Sequence, residues 1–172
     1  KDLGTHLMRR DMRRRGATLP EAALGLCARF GIDSRVLPMT DDQVRTRFVT
    51  DRGVFSFQEY FVRERLTPGL RAIELAGIES ARPSPEAITA LEEADIVIIG
   101  PSNPLISIAP IIEVLGSRMR RERTVVITPI VGGIALQGPT IAMMRAVGPE
   151  PSRVAVAGRL GAVAPAALLG EA

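Results

Sequence analysis

The stretch Ala94-Asp95-Ile96-Val97-Ile98-Ile99-Gly100-Pro101-Ser102-Asn103-Pro104 decides the fold. Ile96 to Ile99 is an unbroken β-branched run, the pattern of a strand buried on both faces of a parallel sheet. Gly100 and two prolines then end the strand and stiffen the loop that leaves it. From there the rhythm is strand, loop, helix. Ser107 to Leu115 predicts the next helix, with Ser107 as its cap, and Thr124 to Thr128 predicts a second buried strand. Thr140 to Val147 predicts the helix after that. This alternation predicts an α/β class: a three-layer Rossmann-like domain with a mostly parallel sheet.

The first half is of different character. Asp2 to Arg15 predicts a helix stopped by Gly16, and Thr18 with Glu21 three residues on forms a capping-box pattern. The helix that follows carries Leu19, Ala22, Ala23, Leu26, Cys27 and Phe30 on one side and ends near Gly31. Arg35 to Pro38 predicts a short strand. Val44–Val49 and Val54–Phe57 predict a hairpin about Asp51-Arg52-Gly53. A short helix after Phe57 ends before Pro68, Leu70–Leu75 predicts another strand, and Glu86–Ala94 a helix. One domain over 1–172 is expected, with a helical segment (1–33), a hairpin and strand segment (34–82), Rossmann-like units (83–150) and a divergent tail (151–172). The helical and β-hairpin elements form an insertion in the first half.

Composition narrows the class. Hydrophobic residues at 46% and charged ones at 24% suit a soluble globular chain, and aromatics at 3% leave the core to aliphatic side chains. No apolar run approaches the ~20 residues of a membrane helix. The opening Lys1-Asp2-Leu3 has neither Met nor a signal-peptide pattern, so a cytoplasmic location is expected. The single Cys27 excludes an internal disulfide and a cysteine-rich metal cluster. Arg9, Arg10, Arg13, Arg14 and Arg15 read either as a solvated face at a helix C-terminus or as a nucleic-acid patch. The lack of a nucleic-acid motif or aromatic stacking series favours the first.

Ligands of an open parallel sheet bind beyond the carboxyl ends of its strands. Two loops leave such ends. Gly100 to Ser107 offers Ser102 and Asn103 as compact donors and acceptors, and the amides of the next helix would favour an anion. Thr128-Pro129-Ile130-Val131-Gly132-Gly133 continues to Gln137-Gly138-Pro139-Thr140, and its paired glycines permit a backbone nest. Together the loops could hold a nucleotide diphosphate, although each is equally consistent with turn chemistry. Neither a Walker loop nor G-x-G-x-x-G is present. His6, the sole histidine, is a base or a packed helix residue, and Arg45 and Arg47, on one strand face, could reach a phosphate or carboxylate but read first as a hairpin surface pair.

At these residues the sequence resembles a known family. Gly100 to Ile108 with Pro110-Ile111-Ile112, and Thr128 to Gly133 with Gly138-Pro139, resemble the loops of CofD-type 2-phospholactate transferases. The likeness runs back through Phe57-Gln58-Glu59-Tyr60-Phe61-Val62-Arg63 and Leu37 to Asp42 to the opening Lys1 to His6, over about residues 1–150. It implies transfer of a 2-phospholactyl or enolpyruvyl phosphate group from a guanosine diphosphate donor to the ribityl hydroxyl of the deazaflavin Fo, releasing GMP, in coenzyme F-420 biosynthesis. The resemblance implies Mg2+ as cofactor, with metal ligands upstream of this chain. It places Ser102, Asn103, Ser107, Gly132 and Gly133 on the nucleotide side, and Lys1, Gln58 and Glu59 on the deazaflavin side. No catalytic residue is assigned, and a homodimer stays open. The family's opening glycine-rich loop is absent, and the likeness fades after Pro149, so the chain is expected to be truncated, without the closing part of the family sheet. The alternatives are a nucleotide-sugar-binding regulatory protein of the gluconeogenesis-factor or YvcK type, and a basic nucleic-acid-binding module.

Overall fold

The structure, a computed structural model, describes residues 2–131, 134–135, 138–148, 163 and 166–168. Two helices come first, α1 (Asp2–Arg14) and α2 (Leu19–Arg29). They pack with Met12 seated over Gly25, where a Cβ would collide with the thioether. The expected capping box is present: the Glu21 amide donates to Thr18 Oγ1 at 3.3 Å, and the Thr18 amide donates to Glu21 Oε2 at 2.7 Å. Ala22, Leu26 and Cys27 are buried as their spacing predicts. Phe30 corrects the pattern: it is the C-cap residue and 58% exposed, because the helix ends before its turn completes the apolar stripe.

Arg35 to Pro38 is not a strand. This segment is irregular, and it is tied down by side chains rather than by a ladder. Ser84 Oγ donates to the Pro38 carbonyl at 2.8 Å, the Arg82 amide donates to Asp42 Oδ2 at 2.8 Å, and Thr40 Oγ1 donates to the Arg82 carbonyl. Pro38 brings no N–H to a sheet, which leaves such bonds as the available means of satisfying the neighbouring backbone. Asp41 completes the arrangement. Its Oδ1 accepts from the Leu19 amide and from Arg13 Nη1, both at 2.7 Å, clamping the end of α1 and the start of α2 to this segment.

The predicted hairpin follows as β1 (Arg45–Thr50) and β2 (Gly53–Ser56), and β3 (Leu70–Ala76) joins it in the order β2-β1-β3, all antiparallel. Between β2 and β3 the chain makes a π-helical turn, Glu59–Arg63. It presents Tyr60 to Phe48, the rings stacked at 4.6 Å, and Phe61 to Phe57 at 4.3 Å. Arg65 (φ 51°) and Leu66 (φ 63°) then reverse the chain in the left-handed region, held by the Leu66 amide on the Tyr60 carbonyl at 2.9 Å.

The second half begins with α3 (Pro85–Glu93), capped by Ser84. The strands β4 (Val97–Ile99) and β5 (Thr124–Ile127) pair in parallel, with Ile99 opposite Val126. Between them lie a second π-helical turn, Pro104–Ile108, and α4 (Ala109–Leu115). After β5 come a two-residue hairpin, β6 (Ile130–Val131) with β7 (Ile134–Ala135), and α5 (Thr140–Val147). The α/β class is therefore as expected. Two details differ. Ile96 is 55% and Ile98 59% exposed, because β4 is an edge of the sheet and the described residues cover only one of its faces. The tail also contributes to the sheet: β8 (Ala166–Leu168) pairs in parallel with β5, giving the order β4-β5-β8. Its Ala-Ala-Leu sequence has little β propensity, so periodicity does not betray it. The rest of the expected divergent tail lies largely outside the described residues.

One core joins the halves: Phe48 and Tyr60 from the first pack with Ile99, Leu105, Val126, Met143 and Met144 from the second. No helix among the described residues is long and apolar enough to cross a membrane. The fully buried Phe48 has no room to be replaced. Phe48→Ala is expected to destabilise the chain by about 3–5 kcal/mol, read from denaturant unfolding. The Asp41 carboxyl is held below the ordinary carboxylate range, first by the Leu19 amide and then by Arg13. A depressed folded-state value means its stabilisation is complete above the unfolded pKa and disappears as pH falls through the folded one. Asp41→Asn should therefore lower the thermal midpoint at neutral pH, with wild type and variant converging on acidification.

Candidate functional site

Parallel pairing brings the carboxyl ends of β4 and β5 side by side, and both predicted loops start there. Asn103 organises the first. Its Oδ1 accepts from the amides of Leu105 at 2.9 Å and Ile106 at 3.3 Å. Its backbone carbonyl accepts from the amides of Ser107 at 3.0 Å and Ile108 at 3.1 Å. The last of these spans five residues and defines the π-helical turn. Pro104, which has no N–H to satisfy, occupies the first position after the cap. Asn103 Nδ2 then reaches Met143 Sδ at 3.6 Å, tying this loop to α5.

This geometry corrects the expected cap. Asn103, not Ser107, starts the helical segment, and Ile108 at the start of α4 makes no side-chain cap. The amides of residues 105 to 108 are already bound to Asn103, so the segment's N-terminus is not the open anion site that its position suggests. Among the side chains at the loop surface, the hydroxyls of Ser102 and Ser107 bond to no other described residue. Asn103 itself is half-buried.

These residues line a crevice of about 190 Å³. Pro101, Ser102, Asn103, Ile106 and Ser107 form one wall, Pro129, Gly138, Pro139 and Thr140 the other, and Phe61 closes it. Both π-helical turns thus contribute to one place, Phe61 from the first and Ile106 and Ser107 from the second. Ser102, Asn103 and Ser107 are brought together. Gly132, Gly133 and Lys1 lie outside the described residues. Phe61 and Thr140 were not foreseen as site residues; Thr140, almost wholly buried at the start of α5, carries no pattern that separates it from an ordinary helix start.

A larger compartment of about 530 Å³ adjoins the crevice, and Ile106 and Ser107 line both. Its walls are mainly apolar, from Leu19, Leu37, Met39, Ile111 and Leu115, with Thr40, Asp42 and Thr46 adding polar groups. The volume falls in the range of small-molecule sites, whereas the crevice is smaller than that range. Gln58 and Glu59 reach neither: Gln58 is exposed, and Glu59 lines a separate groove. His6 is exposed on α1, hydrogen-bonded through Nδ1 to Arg9 at 2.9 Å, so it is not a packed helix residue. Of the early arginines, Arg13 pairs with Asp41 and Arg15 with Asp11. No group of three metal-ligating side chains occurs among the described residues.

Comparison with known proteins identifies the family. The family model described as 2-phospho-L-lactate transferase CofD matches residues 1–166, so the likeness extends past the expected limit near Pro149 and takes in the start of β8. A 2-phospho-L-lactate transferase of Methanosarcina mazei is 36% identical over 159 residues, covering 91% of this chain and 52% of the relative. That of Methanopyrus kandleri is 42% identical over 143 residues, 82% of this chain and 46% of the relative. A phosphoenolpyruvate transferase of Thermobifida fusca is 38% identical over 168 residues, 94% of this chain and 52% of the relative. The chain spans about half the length of the curated relatives it matches. A crystal structure of protein BH3568 from Bacillus halodurans superimposes with a TM-score of 0.63 at 15% identity, over 95% of this chain and 51% of that one, a likeness of fold alone. With the family model spanning both loops of the crevice and both halves of the core, the chain belongs to the CofD family of 2-phospho-L-lactate transferases.

Proposed function

We propose that the protein carrying this chain transfers a 2-phospholactyl or enolpyruvyl phosphate group from a guanosine diphosphate donor to the ribityl hydroxyl of the deazaflavin Fo, releasing GMP. The observation that carries the reading is the pair of compartments divided by Ile106 and Ser107. A transfer needs two ligands whose reacting groups meet, and adjoining sites with a common wall provide that proximity. In this reading the donor's phosphates take the crevice at Ser102, Asn103 and Ser107, with Gly132 and Gly133 on the same side. The flat deazaflavin ring takes the apolar compartment, where Leu19, Met39 and Ile111 suit it better than the more distant Gln58 and Glu59. Lys1 remains assigned to the deazaflavin by family resemblance.

In the proposed step a new P–O bond forms to the acceptor hydroxyl, the P–O bond to GMP breaks, and the hydroxyl proton leaves. The chain's contribution is to hold both ligands in line and to donate hydrogen bonds from Ser102 and Ser107 to phosphate oxygens. Among the described residues no group of three His, Cys, Asp or Glu side chains could hold Mg2+. His6, on the surface of α1, lines neither compartment and is not assigned as the base.

The test supplies the whole protein with magnesium, Fo and the guanylylated donor. GMP together with a product bearing one new phosphodiester is expected; no product from lactate, enolpyruvate or glycerate donors would overturn the reading. Asn103 variants separate folding from binding. Asn103→Ala should destabilise the chain by about 0.5–2 kcal/mol through loss of the cap. Asn103→Asp keeps the accepting oxygen and should restore stability, yet weaken GDP affinity through its added negative charge. Equal GDP affinity in titrations of wild type and Asn103→Asp would remove this residue from the nucleotide site.

A further inference from the structure

The antiparallel sheet contains a charged notch that the transfer reading does not use. β1 begins at Arg45, but its pairing with β2 begins only at Arg47 opposite Ser56. Arg45 and Thr46 therefore run past the end of β2, where the chain leaves Ser56 for the π-helical turn. The space left is about 350 Å³, bounded by Arg45, Thr46, Arg47, Ser56 and Glu59. Arg45 and Arg47 are two residues apart on one strand and so lie on one face, with Cα atoms roughly 7 Å apart from the rise of a strand. Both guanidinium groups can reach one small ligand.

Carboxylates flank this notch, but none of them forms an ion pair with Arg45 or Arg47. Glu59 is its one lining carboxylate among the described residues, and both its oxygens are engaged: Oε2 accepts from the Ser56 amide at 2.9 Å and Oε1 from Arg63 at 3.3 Å. Those bonds hold its pKa below the ordinary range, the Ser56 amide foremost, so it stays ionised but occupied. Glu74 is the cross-strand partner of Arg47, yet no ion pair joins them. Arg45 bonds only to the neutral Gln43, at 3.2 Å, and Arg47 makes no ion pair among the described residues. The Ser56 hydroxyl accepts from the Glu59 amide at 3.4 Å and keeps its own proton to donate.

We infer that this notch is an anion-binding site, distinct from the crevice, that takes a small dianion between Arg45 and Arg47 with Ser56 as a further donor. Guanidinium groups bind carboxylate and phosphate oxygens through paired, charge-assisted hydrogen bonds, which gives the concave, unpaired arginines a ligand chemistry. Thr46 lines both the notch and the larger compartment, so the two sites adjoin. The inference stands whether or not the transfer reading holds.

The test follows the arginine Nε–Hε resonances of 15N-labelled protein as sodium phosphate or sodium succinate is added at constant ionic strength. Saturable shifts at Arg45 and Arg47 are expected, with affinity falling about tenfold in Arg47→Gln and unchanged in Arg71→Gln, an equal charge change on β3 outside the notch. Saturation by phosphate alone assigns a phosphoryl ligand, by succinate alone a carboxylate one, and by both the shared oxyanion chemistry. Shifts that never saturate, or equal losses in Arg47→Gln and Arg71→Gln, would mean general ionic attraction and overturn the site. The remainder of each spectrum reports whether the variant is folded.

Discussion

The Asn103 side chain sets the geometry on which the crevice depends. One residue satisfies four consecutive backbone amides, two through its carboxamide oxygen and two through its carbonyl, and its remaining donor faces Met143. A helix start leaves its first amides without partners, and burying them unpaired would cost on the order of 1–3 kcal/mol each. By meeting that need internally, Asn103 stiffens the loop and links it to α5, the helix that supplies the opposite wall. The same economy withdraws those amides from ligand binding. The hydroxyls of Ser102 and Ser107 are left at the surface of the same loop, where their bonding is directional and easily changed by mutation.

The antiparallel half supports this arrangement through packing more than through charge. The ion pairs among the described residues, two at α1 and two at the first π-helical turn, all use exposed arginines, and pairs of that kind contribute about 0–1 kcal/mol each. The Phe48 and Tyr60 stack instead sits in the same core as Ile99, Val126 and Met143, directly behind the crevice. A fault in the first half would consequently reach the β4 loop through the core, without any change in the loop itself. The Asp41 clamp acts at a different level: it orders α1, α2 and the segment that walls the larger compartment.

Local patterns made most of the fold legible. The Thr18 and Glu21 spacing, the Asp51-Arg52-Gly53 turn and the apolar runs of β4 and β5 each specify an element by chemistry confined to a few residues. What escaped depended on partners far away in sequence. Arg35–Pro38 looks like a strand, but the Pro38 carbonyl finds Ser84 and the neighbouring Thr40 finds Arg82. Ile96 and Ile98 look buried on both sides, but burial is decided by what covers a sheet. Ala166–Leu168 becomes a strand only because β5 offers a free edge. In the site, Ser102, Asn103 and Ser107 were readable from their loop, whereas Phe61 belongs to an element some 40 residues earlier in the chain and reaches the crevice only through tertiary packing. Nor does periodicity distinguish a π-helical turn from an α-helical one.

Those two π-helical turns hold their extra residue locally. Each accommodates one more residue than an α-helical turn would. Loss of a single residue between Pro104 and Ile108 would let that turn close as an α-helical one and leave the facing of α4 unchanged. What it would narrow is the turn that carries Ile106 and Ser107, the wall common to the crevice and the larger compartment. The extra residue is thus a feature of the compartment wall and not of the helix behind it, so the shape of the wall can change while the core it rests on stays as it is.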